Sequence, residues 1–139
     1  MDIEIVGKTK KRIAGSFIEK IIKKTLAVSG KKVAGFSVSV VFADKGKILE
    51  INQKYRKINK ATDILSFNYS SGYNKKKIEG ELFLCPEVIE KSAKDQEVSF
   101  QKELAFVLSH GILHLLGFRH GKKMYKLQDN VCEILNPKS

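Results

Sequence analysis

All three histidines of the chain lie within the segment SHGILHLLGFRH. His110 and His114 are four residues apart, so that on a helix both rings leave the same face, one turn apart. His120 follows Gly117, and a glycine can adopt the left-handed conformation that ends a helix and turns the chain back. Three imidazole nitrogens then occupy three corners of a tetrahedron and leave the fourth open, as in catalytic zinc sites. We therefore predict a site for one Zn²⁺ ion on a helix and the turn after it.

This clustering of histidines also has a simpler interpretation, which the pattern disfavours. A single histidine on an apolar helix face is more often a buried core residue than a metal ligand. Three histidines at spacings of four and six, with none elsewhere in the chain, are not explained in that way. Zinc suits three imidazoles with an open position, while nickel, copper and iron are compatible with the same ligands.

The residue after His110 separates this pattern from that of a known class of protease. Metzincins carry H-E-x-x-H-x-x-G-x-x-H, in which the glutamate is the general base. The ligand spacing is the same here, but Gly111 occupies the position of that glutamate. Three neutral histidines leave the full charge of 2+ on the metal, which lowers the pKa of bound water toward roughly 7. The same charge stabilises the oxygens of a phosphodiester transition state, so the pattern favours phosphate chemistry.

The composition limits the class of protein and its partners. The chain of 139 residues is long enough for one domain with a core, and its 42% hydrophobic and 29% charged residues are typical of a soluble globular protein. A net charge of +11 favours a polyanion such as RNA, although a lysine-rich composition without any ligand would give the same charge. We find neither a membrane-length apolar run nor a signal peptide. The two cysteines are far apart, which indicates buried thiols in a reducing compartment, the cytoplasm.

Helices and strands interleave along the chain and must position the histidines. Alternating apolar residues predict strands at residues 2–6 and 36–43, and two more in DILSFNY and GELFLC that can pair as a hairpin. The periodicity of apolar residues predicts helices over about residues 10–28, after Asp44, and over about 86–94, 100–116 and 123–135. We therefore expect an α+β fold, with about five helices around one small sheet, in a single domain over residues 1–139.

Three blocks of the sequence resemble the YbeY family of metal-dependent endoribonucleases, which act in rRNA maturation. HGILHLLGFRH is similar to the family's H-G-x-L-H-L-x-G-x-x-H, INQKYRKINKATDILSF to its N-x-x-Y-R…T-D-V-L-S-F, and EGELFLCPEVI to its G-D-I-x-I-C-P-E segment. The blocks follow the family's order from Ile51 to His120. The resemblance implies a mixed sheet, zinc on the three histidines, and cleavage of single-stranded RNA in rRNA processing and ribosome quality control. It also implies RNA partners, namely rRNA or ribosomal particles.

The resemblance places Arg56 at the arginine of the family's N-x-x-Y-R block. A guanidinium can hold two phosphate oxygens at once, so Arg56 is our candidate catalytic residue. A salt bridge that fixes the following loop is the structural alternative. For Asp63, in the T-D segment, we favour a structural role at a strand end over a role in orienting a histidine. The family usually carries an aspartate just before the third histidine, where this chain has Arg119.

Two other functions are compatible with the sequence. One is a metallohydrolase that acts on a peptide or small molecule, which the histidine spacing allows and the missing glutamate disfavours. The other is a non-catalytic ribosome assembly factor with a structural zinc ion. A closed site with four protein ligands would favour that role, and no obvious fourth ligand lies near the histidines in the sequence. Three lysines in NKKKIEG, in a predicted loop, are further candidates for contact with an RNA backbone.

Overall fold

The computed structural model of the protein describes residues 1–70 and 77–135, and these residues form four strands and five helices. The α+β class expected from the sequence is confirmed. The elements, in chain order, are β1 (Asp2–Val6), α1 (Gly15–Ser29), β2 (Gly35–Phe42), α2 (Lys45–Arg56), β3 (Ile64–Asn68), β4 (Lys77–Leu84), α3 (Pro86–Gln96), α4 (Phe100–Leu115) and α5 (Lys122–Leu135).

The strands of the described residues form one mixed sheet in the order β1-β2-β4-β3. β1 is parallel to β2 and β2 is parallel to β4, whereas β3 is antiparallel to β4. β3 and β4 are the two strands predicted to pair as a hairpin, and Phe67 of β3 lies opposite Glu81 of β4. β3 is therefore an edge strand of this sheet, and it is the strand on which the site is built.

The main core lies between one face of the sheet and three helices, α1, α4 and α5. Inward side chains alternate along β2 and β4, as the two-residue period of a strand requires, and they pack with buried leucines and isoleucines of the helices. α4 is the central helix, because it contacts α1, α3, α5 and β3. Leu108 and Ile112 of α4 are fully buried. A helix enclosed in this way gives fixed positions to the side chains that it carries.

α4 ends at Gly117 in the manner that the sequence predicts. The φ angle of Gly117 is +93°, in the left-handed region. The backbone N–H of Gly117 donates to the carbonyl of His114, and that of Phe118 donates to the carbonyl of Leu113, both at 3.0 Å. These two bonds form a Schellman motif, which closes the helix and reverses the chain. The next residues therefore return toward the end of α4.

The start of α1 differs from the prediction. The helix begins at Gly15, whereas the periodicity predicts a start near Lys10. Lys11 instead bonds to Glu90 of α3 at 3.4 Å and lies 4.6 Å from the ring centroid of Phe100. Contacts with distant elements therefore hold this segment in a non-helical path. The other helix ends agree with the predicted ones within two residues, and no helix in the described ranges is long and apolar enough to cross a membrane.

Candidate metal centre

The three histidines meet at the C-terminal end of α4. Their ring centroids are separated by 4.4 to 4.7 Å, and one nitrogen of each ring lies within 4.8 Å of the others. The Nε2 atoms of His110 and His114 are 2.9 Å apart. Nitrogens at about 2.0–2.1 Å from a tetrahedral zinc ion would be separated by roughly 3.3 Å. The structure thus brings together the three residues that the sequence predicts as ligands, at distances close to those that zinc requires.

Hydrogen bonds hold the other nitrogen of each helical histidine. Nδ1 of His114 lies 3.1 Å from the carbonyl oxygen of Phe118, which can only accept. Nδ1 of His110 lies 3.5 Å from Oε1 of Gln128, and the amide of Gln128 is oriented because its Nε2 donates to the carbonyl of Phe106 at 3.0 Å. Both rings therefore carry a hydrogen on Nδ1 and leave an unprotonated Nε2. Two facing lone pairs repel each other, and a cation between them removes that repulsion, so this donor set fits zinc.

Burial keeps the helical histidines in the form that binds a metal. Burial, assisted by the nearby His114, lowers the pKa of His110 from 6.5 to about 4. Burial also lowers the pKa of His114. Metal ligands must be deprotonated, and at pH 7 both of these rings are neutral. Protons therefore compete little with a metal ion at the two ligands that α4 supplies.

Gly111 lets α4 lie directly against β3. A Cβ atom at this position would overlap with Cδ1 of Ile64 and would come within 3.2 Å of Oγ of Ser66. Oγ of Ser66 itself donates to the carbonyl of Gly111 at 3.4 Å. With the helix at this distance there is no room for a glutamate side chain. The close contact therefore explains in physical terms why the metzincin base is absent.

The histidines open onto a cavity of about 660 Å³. Arg56, the candidate catalytic residue, lies on its wall, as do Asp63 and Ser66, so the structure brings all of them to one cavity. Ile58 and Tyr125 also line it, and each is about half exposed. The cavity thus combines a candidate metal site, one guanidinium and two exposed apolar side chains.

The guanidinium of Arg56 is placed by β3. Its Nη2 donates to the carbonyl of Ser66 at 2.7 Å, and its Cζ lies 4.9 Å from the ring centroid of Phe67. Within residues 1–70 and 77–135 the ion pairs all involve Glu90, so the salt bridge that was the structural alternative for Arg56 is not formed there. The loop after α2 is held instead by Asn52, whose Nδ2 donates to the carbonyl of Lys60 at 2.8 Å. The side chain of Arg56 is exposed and keeps further donors for an anion.

Asp63 lies directly before β3, and its contacts are those of a strand end. Its backbone carbonyl accepts from the N–H of Cys85 at 2.9 Å, and its carboxylate accepts from Oγ1 of Thr62 at 3.4 Å. Burial raises the pKa of Asp63 above its usual value. The backbone contact agrees with the structural role that we infer from the sequence.

Gln128 is a residue at this site that the sequence analysis misses. It is fully buried on α5, where Met124 and Val131 are the apolar neighbours on the same face. A polar residue within an apolar stripe is the signal that would have found it, because a buried amide needs hydrogen-bond partners. Among the lysines of NKKKIEG, Lys77 begins β4, while Lys75 and Lys76 lie outside the described residues.

Most of the chain is similar to known proteins. A family model described as "Endoribonuclease YbeY" matches residues 4–136. A protein of that name from Bdellovibrio bacteriovorus is 34% identical over an alignment of 147 positions with gaps, which covers 97% of this chain and 95% of the relative. A second, from Thermosipho melanesiensis, is 36% identical over 131 residues and 90% of each chain. A Thermotoga maritima protein with a known solution structure has a TM-score of 0.64 at 30% identity, over 94% of this chain and 87% of its own.

Proposed function

The chain belongs to the YbeY family of endoribonucleases, and from this premise we propose that it is a zinc-dependent endoribonuclease that cuts single-stranded RNA during rRNA processing. In this proposal residues 1–139 form one metallohydrolase domain with one zinc ion on His110, His114 and His120. The observation that carries it is the facing pair of Nε2 atoms, 2.9 Å apart, in a cavity that also contains Arg56.

The residues at the metal centre have separate tasks in the proposed reaction. Bound zinc would supply a Lewis acid that offsets the negative charge gained by phosphate oxygens. Phe118 and Gln128 orient the rings of His114 and His110 through their Nδ1 atoms. The free donors of Arg56 are able to bind a phosphate oxygen in the same cavity, while Ser66 holds the other side of the guanidinium in place.

The walls of the cavity favour single-stranded RNA over a peptide. Tyr125 offers an aromatic ring on which an unpaired base can stack, and proteins commonly recognise single strands in this way. Ile58 adds an exposed apolar surface in the same cavity. The net charge of +11 supports a polyanionic substrate. Gly111 leaves no space for the general base of a metzincin protease.

We further propose that the RNA is rRNA or a ribosomal particle in the cytoplasm, and that the cleavage serves ribosome quality control. Membership of the family supports a role in rRNA processing. Cys85 and Cys132 support a reducing compartment, because both are buried free thiols, and burial raises the pKa of each.

The experiment that tests this function is cleavage of a labelled single-stranded RNA by the wild type and by His114→Ala, purified identically. We expect the wild type to carry one zinc ion and to cut the RNA, and the variant to lose both properties. Thr25→Val, which changes a buried polar residue on α1, is the control for effects of a substitution away from the metal centre and should keep both properties. Equal cleavage by the wild type and His114→Ala would assign the activity to a contaminating nuclease, and no cleavage by either would favour the assembly-factor alternative. A casein digestion assay tests the peptide alternative.

The role of Arg56 needs a separate variant. Arg56→Gln is expected to lower the rate of cleavage while the zinc content stays at the wild-type level, because Arg56 binds phosphate and not the metal. Unchanged cleavage by Arg56→Gln would show that Arg56 does not bind the phosphate and that its role is structural, through its contacts with Ser66 and Phe67.

A further inference from the structure

The segment that carries the metal ligands contains no carboxylate. From Ser109 to Gln128 the sequence has no aspartate or glutamate, although it has four basic residues. The four are Arg119, Lys122, Lys123 and Lys126. A protein surface usually carries interspersed charges of both signs. Charge of a single sign along the segment that carries the metal ligands therefore calls for an explanation in terms of what binds there.

Two lysines from different elements approach one aromatic ring in this region. Nζ of Lys31, in the loop after α1, lies 5.3 Å from the ring centroid of Phe118. Nζ of Lys123, in the first turn of α5, lies 5.7 Å from the same centroid. Both lysines are exposed, and neither takes part in an ion pair within the described part of the chain. Two ammonium groups from different elements thus lie close to the same ring.

This pair of lysines is directly connected to the metal centre. The carbonyl of Phe118 accepts from Nδ1 of His114, and Arg119 is the residue between Phe118 and His120. Arg119 is exposed as well. We define Lys31, Arg119 and Lys123, grouped around Phe118, as the cationic rim. The backbone of Phe118 and Arg119 joins the rim to the ligands His114 and His120.

We propose that the cationic rim binds the phosphate backbone of single-stranded RNA on its way into the cavity, an inference that rests on the proposed endoribonuclease function for the identity of the polyanion. In this proposal a strand whose scissile phosphate lies at the histidines continues across the neighbouring surface, with its next phosphates at the rim. Lysine and arginine side chains supply most of the affinity for a nucleic-acid backbone.

The test is the salt dependence of binding to a labelled 2′-O-methyl oligonucleotide of mixed sequence. The rim variant combines Lys31→Gln, Arg119→Gln and Lys123→Gln. The control variant combines Lys20→Gln, Lys23→Gln and Lys24→Gln, which remove the same charge from exposed positions on α1. Each phosphate contact contributes about 0.7 to the slope of log K against log salt for a single strand. We therefore expect the slope of the rim variant to fall by about 2 from the wild-type value, and that of the control to change little.

Two results would overturn the proposal: equal slopes for the rim and control variants, or no binding of the oligonucleotide by the wild type at low salt. The single change Arg119→Gln repeats the test if the triple variant does not fold, with an expected decrease in slope of about 0.7. Because the oligonucleotide measures binding without cleavage, failure of the rim is distinct from failure of the function. If the wild type cuts RNA and the rim and control variants have equal slopes, only the proposal for the rim is wrong. If the slope depends on the rim but no RNA is cut, only the proposed nuclease function is wrong.

Discussion

Two regions of the molecule supply the three histidines, and they differ in how firmly they are held. α4, which carries His110 and His114, is enclosed by three helices and β3. The turn that carries His120 is mostly exposed and contains two glycines with positive φ, Gly117 and Gly121. The comparison shows that the fold orients two ligands before any metal ion binds, whereas the third comes from a segment with little support of its own. Metal affinity should therefore depend unequally on the three ligands.

The largest expected effect compares a helical ligand with the ligand from the turn. We expect His110→Ala to weaken zinc binding by about 10³–10⁴-fold and His120→Ala by about 10²-fold. His110 is already oriented, whereas ordering a residue of a turn costs roughly 1–2 kcal/mol, which reduces the net contribution of His120. Competition with a chromophoric chelator at pH 7 measures both affinities. Equal losses would show that the turn is as firmly held as the helix.

A smaller effect is expected when the support of a helical ligand is removed and the ligand itself is kept. Gln128→Leu deletes the acceptor that faces Nδ1 of His110, and loss of such a partner typically costs 10–100-fold in metal affinity. Two-bond ¹H–¹⁵N NMR spectra show independently which nitrogen of His110 carries the hydrogen. In Gln128→Leu we expect a mixture of the two tautomers in place of the Nδ1–H form. Thr25→Val is the matched buried change and should alter neither measurement. A wild-type affinity and tautomer in Gln128→Leu would contradict the role of Gln128.

The same contrast explains how much of the site the sequence could predict. The pair on α4 follows from spacing alone, because a four-residue separation on any helix places two rings on one face. Gly117 predicts the return of the chain because only a left-handed residue closes a Schellman motif at low cost, and the structure confirms its positive φ. These predictions depend on local geometry, which a single segment of sequence contains.

The parts that the sequence does not predict depend on contacts between distant segments. Gln128 is 18 residues from His110, and only the packing of α5 on α4 brings the amide to the ring. Lys31 and Lys123 meet at Phe118 for the same reason. The start of α1 is set by contacts of Lys11 with α3 and α4, which override the local periodicity. Tertiary packing of this kind has no signature in the spacing of residues.

Acid should destabilise the metal-free protein through the helical ligand His110. The pKa of His110 is about 4 in the folded protein and 6.5 in the unfolded chain, so between these values the unfolded chain binds more protons. Stability therefore falls as the pH decreases from 6.5 toward 4, by roughly 1–2 kcal/mol after allowance for solvent screening. Urea unfolding at pH 7 and pH 4.5 measures this loss. His110→Gln should remove that part of the pH dependence, and an equal loss in the variant would assign it to other groups.

The smallest expected effect tests whether the close contact with β3 is what holds α4 in place. Gly111→Ala adds a methyl group that overlaps with Cδ1 of Ile64, and overpacking of this kind costs about 1–3 kcal/mol. The better helix propensity of alanine returns about 1 kcal/mol, so a net loss near 1 kcal/mol is expected. Ile64→Val removes the overlapping atom and should relieve the cost in the double variant. Urea unfolding of the four proteins in this cycle measures the coupling. Additive effects would mean that α4 shifts freely along β3, and the two helical ligands would then be no more firmly placed than the ligand on the turn.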